Sequence, residues 1–244
     1  MNYFALGLRS LFRDPLLFPG KVYRYFRPMR RYYRRRFGIS LRQWTLYHHN
    51  NIVFQQCSWM GVRTQKNPCD CWIYQEIIWE TKPEVIVEIG SASGGSTLYF
   101  AQLLDLIGSG TVVSIDISRE TYDVSHPRVV AITGNSSAPA IVEQVADLCR
   151  GKRTLVIHDG DHEKKQVLRD LEAYAPFVGV GSYLIVEDGL IDLFRPNDGV
   201  GDFPAGPLKA IDQFLRTHGE FAIDRDRERY MITNSPSGFL KRVR

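Results

Sequence analysis

Acidic residues are concentrated in two short segments, each of which follows a predicted strand. The first is His158-Asp-Gly-Asp-His162, and the second contains Glu187 and Asp188. Asp159 and Glu187 are 28 positions apart, which is the length of one helix and one strand, so both can return to neighbouring strand ends of a parallel sheet. Three carboxylates in one cleft need a compensating cation, and oxygen ligands favour Mg²⁺, with Mn²⁺ or Ca²⁺ as alternatives. In the structural alternative, Asp159 caps a helix and the second pair forms a solvated turn.

A glycine-rich loop joins a predicted strand to a predicted helix within residues 85–97. Its glycines, Gly90, Gly94 and Gly95, do not follow the Gly-x-Gly-x-x-Gly spacing of dinucleotide sites, which disfavours a cofactor with a pyrophosphate. A second predicted strand ends in Asp116, 21 positions beyond Gly95, where an acid can accept hydrogen bonds from both ribose hydroxyls. This order predicts a nucleoside-binding site, and an ordinary strand-to-helix turn is the alternative.

Alternating strands and helices must position these groups. Apolar strands separated by amphipathic helices are typical of a parallel sheet that is covered on both faces. Two late apolar segments, residues 221–223 and 230–233, flank a charged turn and predict a hairpin that adds one antiparallel strand. A helix over residues 70–80 is expected to lead into the first strand. The other predicted elements are strands near 85–89, 111–115, 128–132, 154–158 and 182–186, and helices near 95–107, 138–149, 163–175 and 207–217.

Composition predicts one domain with an appendage. A chain of 244 residues can bury one α/β core, which we assign to residues 44–244, preceded by a basic, aromatic arm over residues 1–43. Residues 1–42 carry a net charge of +10, whereas the remainder carries −6. This mixture suits an anionic membrane surface, and packing on an acidic neighbouring subunit of a homo-oligomer is the alternative. The acidic body and the lack of a recognised nucleic-acid motif argue against nucleic acid as a partner.

The cysteines indicate a reducing compartment. The four residues, Cys57, Cys69, Cys71 and Cys149, have no disulfide-framework spacing, and Cys69-Asp-Cys71 is too tight for a zinc knuckle. No apolar run approaches the length of a spanning helix, and no cleavable signal is recognised. The sequence predicts a cytoplasmic protein, with peripheral contact at the inner face of the membrane if the arm binds lipid.

The glycine-rich loop resembles a known cofactor motif. Glu88-x-Gly90-x-x-x-Gly94 is similar to motif I of class I S-adenosylmethionine (SAM) methyltransferases. The resemblance implies that the loop backbone lies against the methionine part of SAM and that Asp116 holds the ribose. It implies a Rossmann-like class I SAM methyltransferase fold, with a mostly parallel seven-stranded sheet, one antiparallel strand and helices on both faces. The cofactor-binding candidates are Glu88, Gly90, Ser91, Gly94, Ser96, Asp116, Asn135, Ser136 and Asp159.

A closer resemblance extends from about residue 44 to the C-terminus. The matched segments resemble the family labelled cephalosporin hydroxylase, which is similar to Mg²⁺-dependent O-methyltransferases of macrolide sugars and rhamnosyl O-methyltransferases of glycolipids. It implies SAM and a divalent cation held by Asp159, Glu187 and Asp188, with His162 as the base. Asn135 and Ser136 lie where related enzymes contact adenine. The segments are Trp59-Met-Gly61, Lys66-Asn-Pro68, Tyr74-Gln-Glu76, Lys82-Pro83, Glu88-Ile-Gly90, Gly94-Gly-Ser96, Asp159-Gly-Asp-His162, Val186-Glu-Asp188, Gly206-Pro207 and Ser237-Gly-Phe-Leu240.

Methyl transfer to an alcohol also requires that the hydroxyl lose its proton. Coordination to a metal lowers the hydroxyl pKa, and a histidine with an ordinary pKa of about 6.5 can take the proton. His162 follows the strand end, whereas His158 lies within the strand and should point into the sheet. Asp161 stands where the related motif often has serine. Either Asp159 or Asp161 is therefore the closer metal ligand, and Asp161 is the reserve catalytic residue.

The predicted function is a SAM- and Mg²⁺-dependent O-methyltransferase that acts on a sugar hydroxyl of a glycolipid, polysaccharide or glycosylated natural product. An O-methyltransferase of a phenolic or catechol small molecule is one alternative, and a non-catalytic accessory protein with a methyltransferase fold is another. The gathered acids argue against the accessory role. The segment over residues 195–207, rich in Gly, Pro and Asp, is a predicted substrate lid.

Overall fold

The computed structural model describes residues 38–194 and 205–244. The contacts of the chain divide into two compact units, Met1–Tyr47 and His48–Arg244. The described part of the first unit contains helix α1 (Leu41–Tyr47). A capping box begins this helix, since the Gln43 N–H donates to Ser40 Oγ (3.2 Å) and the Ser40 N–H donates to Gln43 Oε1 (2.9 Å). Most of the predicted arm, residues 1–37, and most of the predicted lid, residues 195–204, lie outside the described residues.

A seven-stranded sheet forms the centre of the second unit, with the spatial order β5-β4-β3-β6-β7-β9-β8. Strand β9 runs antiparallel to both of its neighbours, and the pairs β5-β4, β4-β3, β3-β6 and β6-β7 are parallel. This architecture confirms the predicted fold class. The sheet strands are β3 (Val85–Ile89), β4 (Thr111–Asp116), β5 (Val129–Thr133), β6 (Thr154–His158), β7 (Tyr183–Val186), β8 (Phe221–Ile223) and β9 (Phe239–Arg242), and a separate hairpin holds β1 (Ser58–Trp59) and β2 (Val62–Arg63).

Helices cover both faces of this sheet. Val85 and Val87 of β3 belong to one apolar cluster with Leu171 of the helix after β6, whereas Ile86 belongs to a second cluster with Ile77 of the helix before β3. The alternation along β3 follows from the period of two in a strand. The helices are α2 (Phe54–Gln56), which follows a π-helical turn (His48–Val53), α3 (Pro68–Thr81), α4 (Gly95–Ile107), α5 (Pro139–Cys149), α6 (Lys164–Tyr174) and α7 (Pro207–Phe214), with 3₁₀ turns at Ala175–Phe177, Gly189–Leu193 and Arg225–Glu228.

The ends of helix α3 follow from its sequence. Asn67 is the N-cap, and its Oδ1 accepts a hydrogen bond from the Cys69 N–H (3.0 Å). Pro68, at the first helical position, has no backbone N–H group and therefore needs no hydrogen-bond acceptor. Lys82 ends the helix in a left-handed conformation (φ 45°), and its N–H donates to the Ile78 carbonyl (2.9 Å). The predicted helix over residues 70–80 is confirmed and slightly longer.

The predicted final hairpin is wrong in its second strand. Residues 230–233 are not a strand, and β8 pairs instead with β9, in the register Phe221 opposite Arg242. The backbone N–H of Asn234 donates to Asp70 Oδ2 of helix α3 (2.8 Å). Asn67, the N-cap of α3, also donates to the Ile232 carbonyl (3.1 Å). These contacts hold the segment at α3, so its backbone groups do not pair with the sheet. The apolar pattern of the segment alone could not reveal this competition.

Two further expectations concern the whole chain. All four cysteines are free thiols, as predicted. In the part of the chain that the structure describes, no helix combines the length and the apolarity needed to cross a bilayer.

Candidate active site

A cavity of about 420 Å³ lies at the carboxyl ends of the parallel strands. Its walls contain Gly90 after β3, Ile117 after β4, Gly134 after β5 and Gly160 after β6. The chain runs from β3 outward through β4 to β5 and then crosses back to β6 on the other side of β3. The cavity therefore lies where the strand order reverses, which is where ligands bind in open α/β sheets. Seven of the nine predicted cofactor-binding residues line it, namely Gly90, Ser91, Ser96, Asp116, Asn135, Ser136 and Asp159.

Gly90 is required by the close approach of two strand ends. Its backbone has φ +83°, which favours glycine, and a Cβ added there would lie 2.1 Å from the carbonyl oxygen of Asp159. The first glycine of the loop therefore allows the chain after β6 to pass directly beside it. This contact positions Asp159 at the edge of the cavity.

Asp116 holds the glycine-rich loop in place. Its Oδ2 accepts hydrogen bonds from the N–H groups of Ser91 (2.9 Å) and Ala92 (2.8 Å), and Oδ1 accepts one from Ser118 (3.2 Å). Burial alone would raise the pKa of Asp116, but the backbone N–H donors outweigh burial and lower the pKa. The side chain is therefore an ionised acceptor at the cavity wall.

Glu88 and Gly94, the two other predicted cofactor-binding residues, do not line the cavity. Glu88 is fully buried, and its carboxylate accepts a hydrogen bond from Thr97 Oγ1. Burial raises the pKa of Glu88, and within the described part of the chain Oε1 has no hydrogen-bond partner. A Cβ on Gly94 would meet the side chains of Val124 and Tyr122. Glu88 thus anchors the first turn of α4 through Thr97, and Gly94 leaves room for the side chains of Val124 and Tyr122.

A polar network fixes the loop after β5. Asn135 Oδ1 accepts a hydrogen bond from the Ser137 N–H (3.0 Å), and Ser136 Oγ donates to Asp170 Oδ1 (2.7 Å). Asp170 Oδ2 is 3.1 Å from His158 Nε2, and both side chains are 1% exposed. His158 is thus buried at the end of β6, as predicted, where it anchors this loop through Asp170.

A buried lysine bridges two of the predicted metal ligands. Lys66 Nζ is 2.5 Å from Asp159 Oδ2 and 2.5 Å from Glu187 Oε1. The side chains of Lys66 and Glu187 are 1% and 3% exposed, and Asp159 is 22% exposed. Asp188, the third predicted ligand, is also buried and lines the cavity. The fold has therefore brought residues from three separate parts of the chain into one charged cluster.

Burial and mutual repulsion disfavour ionisation of the carboxylates in this cluster. Burial raises the pKa of Glu187 well above its usual value, and the charge of Asp159 raises it further, while Lys66 opposes the rise. Burial and then the charge of Asp159 raise the pKa of Asp188 to about 6. When ionised, three carboxylates beside one ammonium leave two negative charges, which one divalent cation would neutralise. Donors that are all oxygen suit Mg²⁺.

The complete metal-ligand set stays a prediction. Within residues 38–194 and 205–244, no three His, Cys, Asp or Glu side chains are arranged to hold a metal ion as they stand. Lys66 uses one oxygen of Asp159 and one of Glu187. A cation that binds to these carboxylates must therefore share them with the lysine.

The predicted base and its reserve have different surroundings. His162 is partly buried, lines the cavity, and places Nε2 3.5 Å from Asp188 Oδ2. Asp161 also lines the cavity, but its Oδ1 accepts a hydrogen bond from the Glu163 N–H (2.7 Å) at the start of α6. Asp159 therefore belongs to the Lys66 cluster, whereas Asp161 closes a short turn ahead of α6. The choice between these two carboxylates as the closer metal ligand stays a prediction.

Sequence reasoning gave no role to several residues of the site. Lys66 occurs in one of the segments that resemble the family, but a single lysine before a helix carries no signal for a buried ion pair. Ile117 is 76% exposed and lines the cavity beside Asp116. Its position directly after the predicted ribose-binding acid could have indicated that it lines the cofactor site. Phe54 and Gln166 also line the cavity, and the sequence around them gives no signal for this role.

The fold and this site define a nucleoside-binding α/β protein of the methyltransferase class. The family model described as Rhamnosyl O-methyltransferase/CmcI matches residues 51–243. The chain therefore belongs to the Rhamnosyl O-methyltransferase/CmcI family, which confirms the predicted family and enzyme class.

Two curated relatives and one solved structure illustrate the likeness. The chain is 36% identical over 204 residues to the rhamnosyl O-methyltransferase of Mycobacterium leprae (strain TN), which covers 80% of this chain and 87% of the relative. It is 33% identical over 205 residues to that of Mycobacterium tuberculosis (strain ATCC 25618 / H37Rv), with coverages of 80% and 82%. A solved structure of CmcI with Mg and SAM is 21% identical and covers 77% of each chain, with a TM-score of 0.60. At this identity, the structural likeness bears on the fold alone.

Proposed function

We propose that the protein transfers the methyl group of SAM to a sugar hydroxyl in a Mg²⁺-dependent reaction, the sugar being part of a glycolipid, polysaccharide or glycosylated natural product. The observation that carries this proposal is that one cavity is lined by two kinds of groups. Asp116 and Asn135 suit a nucleoside, whereas Asp159, Asp188 and His162 suit the activation of a hydroxyl. The names of the rhamnosyl relatives support the sugar acceptor. CmcI gives its name to the family of this chain and has been solved with Mg and SAM, which supports the cofactor and the metal.

The residues of the nucleoside wall fit SAM. Asp116 is an ionised acceptor, and a carboxylate has about four lone-pair sites, so it can accept ribose hydroxyls as well as backbone N–H groups. The exposed apolar side chain of Ile117 can cover the adenine ring, while Asn135 offers an amide at the neighbouring strand end. The backbone at Gly90 and Ser91 would face the methionine part.

The residues of the charged wall fit a hydroxyl acceptor and a divalent cation. Asp159, Glu187 and Asp188 would hold Mg²⁺, which supplies positive charge that lowers the pKa of the acceptor hydroxyl. His162 would take the hydroxyl proton, and Asp188, 3.5 Å from Nε2, would stabilise the protonated imidazole. The acceptor oxygen would then form a bond to the methyl carbon as the bond from that carbon to sulfur breaks.

Incubation of the purified protein with SAM, Mg²⁺ and rhamnosylated glycolipid should yield a product heavier by one methylene group, detected by mass spectrometry.

Asp116→Ala should weaken SAM binding by about 10- to 150-fold, because a hydrogen bond to a charged group contributes about 1.5–3 kcal/mol. Calorimetry would measure this change, with the exposed Asp123→Ala as the matched control. Unchanged SAM affinity in Asp116→Ala would overturn the cofactor assignment.

We further infer that residues 1–42 bind anionic membrane surfaces, which would bring the enzyme to a lipid-linked acceptor. Ten net positive charges at about 1 kcal/mol each, before salt screening, favour this contact. Replacing Arg30, Arg31, Arg34, Arg35 and Arg36 with glutamine should reduce co-sedimentation with phosphatidylserine liposomes at low salt. If the unmodified protein does not co-sediment with these liposomes, the membrane inference is wrong. Light scattering should then reveal a homo-oligomer whose size depends on the same arginines.

A further inference from the structure

Lys66 is the least expected component of the active site. Its ammonium is buried between Asp159 and Glu187, at 2.5 Å from an oxygen of each. We propose that Lys66 is a resident counter-cation, which holds these two carboxylates together in the absence of a divalent cation and lowers the affinity with which they bind one. This inference rests on the proposed function, because it takes Asp159 and Glu187 as ligands of the divalent cation.

The position of Lys66 is built into the fold. It directly precedes Asn67, whose Oδ1 caps α3 through the Cys69 N–H (3.0 Å) and whose Nδ2 donates to the Ile232 carbonyl (3.1 Å). The Lys66 backbone is thus fixed on one side by a helix N-terminus and a neighbouring loop. A buried side chain that starts from a fixed backbone reaches the two carboxylates in a defined place, unlike a surface lysine that samples many conformations.

The charge of Lys66 has two opposing consequences. Without a divalent cation, its ammonium compensates the repulsion between buried carboxylates, and removal of one partner of a buried ion pair is strongly destabilising. With a divalent cation present, the same ammonium repels it from a few ångströms away. Even at the effective dielectric constant of about 20 that describes protein sites, this repulsion corresponds to more than about a tenfold change in affinity.

Lys66→Met tests both consequences, since methionine keeps much of the side-chain volume and removes the charge. Calorimetric titration of metal-stripped protein with Mg²⁺ alone, without SAM, should show binding at least about tenfold tighter than in the unmodified protein. Metal-free Lys66→Met should melt at a lower temperature than metal-free unmodified protein. Addition of Mg²⁺ should raise the melting temperature of Lys66→Met by more than it raises that of the unmodified protein. A purely structural lysine would affect melting and leave cation binding no tighter.

Two variants serve as controls. Lys66→Arg keeps the charge and should retain a cation affinity near that of the unmodified protein, while Lys165→Met, at an exposed position of α6, should change neither property. If Lys66→Met does not fold, Lys66→Gln, which retains a hydrogen-bonding amide, takes its place in the titration.

Cation binding that is unchanged or weaker in the folded neutral variant would overturn the role of Lys66 and leave the proposed methyl transfer intact. Conversely, absence of methyl transfer by the unmodified protein, with Mg²⁺ binding that tightens in Lys66→Met, would overturn the proposed reaction alone. If neither the unmodified protein nor Lys66→Met binds a divalent cation, the metal assignment and the role of Lys66 are both wrong.

Discussion

Replacement of His162 with alanine should lower the rate of methyl transfer by about 10²- to 10⁴-fold, because this is the usual contribution of a general base. His162 lines the cavity and lies 3.5 Å from Asp188, which can stabilise its protonated form. SAM binding should remain near the level of the unmodified protein, because the residues that fit the nucleoside follow β3, β4 and β5 instead. Single-turnover rates at saturating SAM, together with calorimetric SAM affinities, would measure both quantities.

Asp161→Ala separates the base from its reserve. Asp161 Oδ1 accepts a hydrogen bond from the Glu163 N–H in the turn before α6, so its loss should cost some stability but little of the chemical step. If His162→Ala keeps a near-normal rate and Asp161→Ala does not, Asp161 is the base. If both variants keep it, neither side chain takes the proton, and the assignment of a general base in this cavity is wrong.

Removal of divalent cations with EDTA should abolish methyl transfer, and excess Mg²⁺ should restore it. A metal ion typically stabilises a transition state by several kcal/mol, so the loss should be at least about 100-fold. Glu187→Gln should reproduce much of this loss, because it keeps the shape of a buried side chain that contacts Lys66 and removes its charge. Activity assays in chelator and Mg²⁺ titrations of the variant would test this expectation.

The exposed Glu172→Gln on α6 is the control for this charge removal and should behave like the unmodified protein. Full activity in chelator would contradict the prediction and show that the buried acids have a structural role. An intact rate in Glu187→Gln together with sensitivity to EDTA would restrict the ligand set to the other two carboxylates.

The central part of the fold could be predicted because its signals are local. Strands β3, β6 and β7 are apolar runs buried on both faces, which is the pattern that a parallel sheet with helices on both sides requires. The same chain order places the groups after each strand at one edge of the sheet. Asp116, Asn135, Asp159 and His162 could therefore be assigned to one cavity from sequence alone.

The errors and omissions arise where a residue's role depends on distant partners. Residues 230–233 have a strand-like pattern, yet α3 holds the neighbouring Asn234 through Asp70, so β9 takes the place next to β8. Glu88 belongs to a recognisable motif, but its side chain is fully buried and bonded to Thr97, and it does not line the cavity.

The sequence by itself determined the class of fold, the edge of the sheet that carries the chemistry and half of the residues that line the cavity, because strand periodicity, glycine spacing and strand-end acids are short-range patterns. Only the tertiary structure decided that Lys66 lies between Asp159 and Glu187, which are 93 and 121 positions away along the chain. A lysine in an irregular segment carries no information about where its charge will be buried. That outcome depends on the packing of α3 against the sheet, which brings the ammonium to carboxylates whose repulsion it offsets.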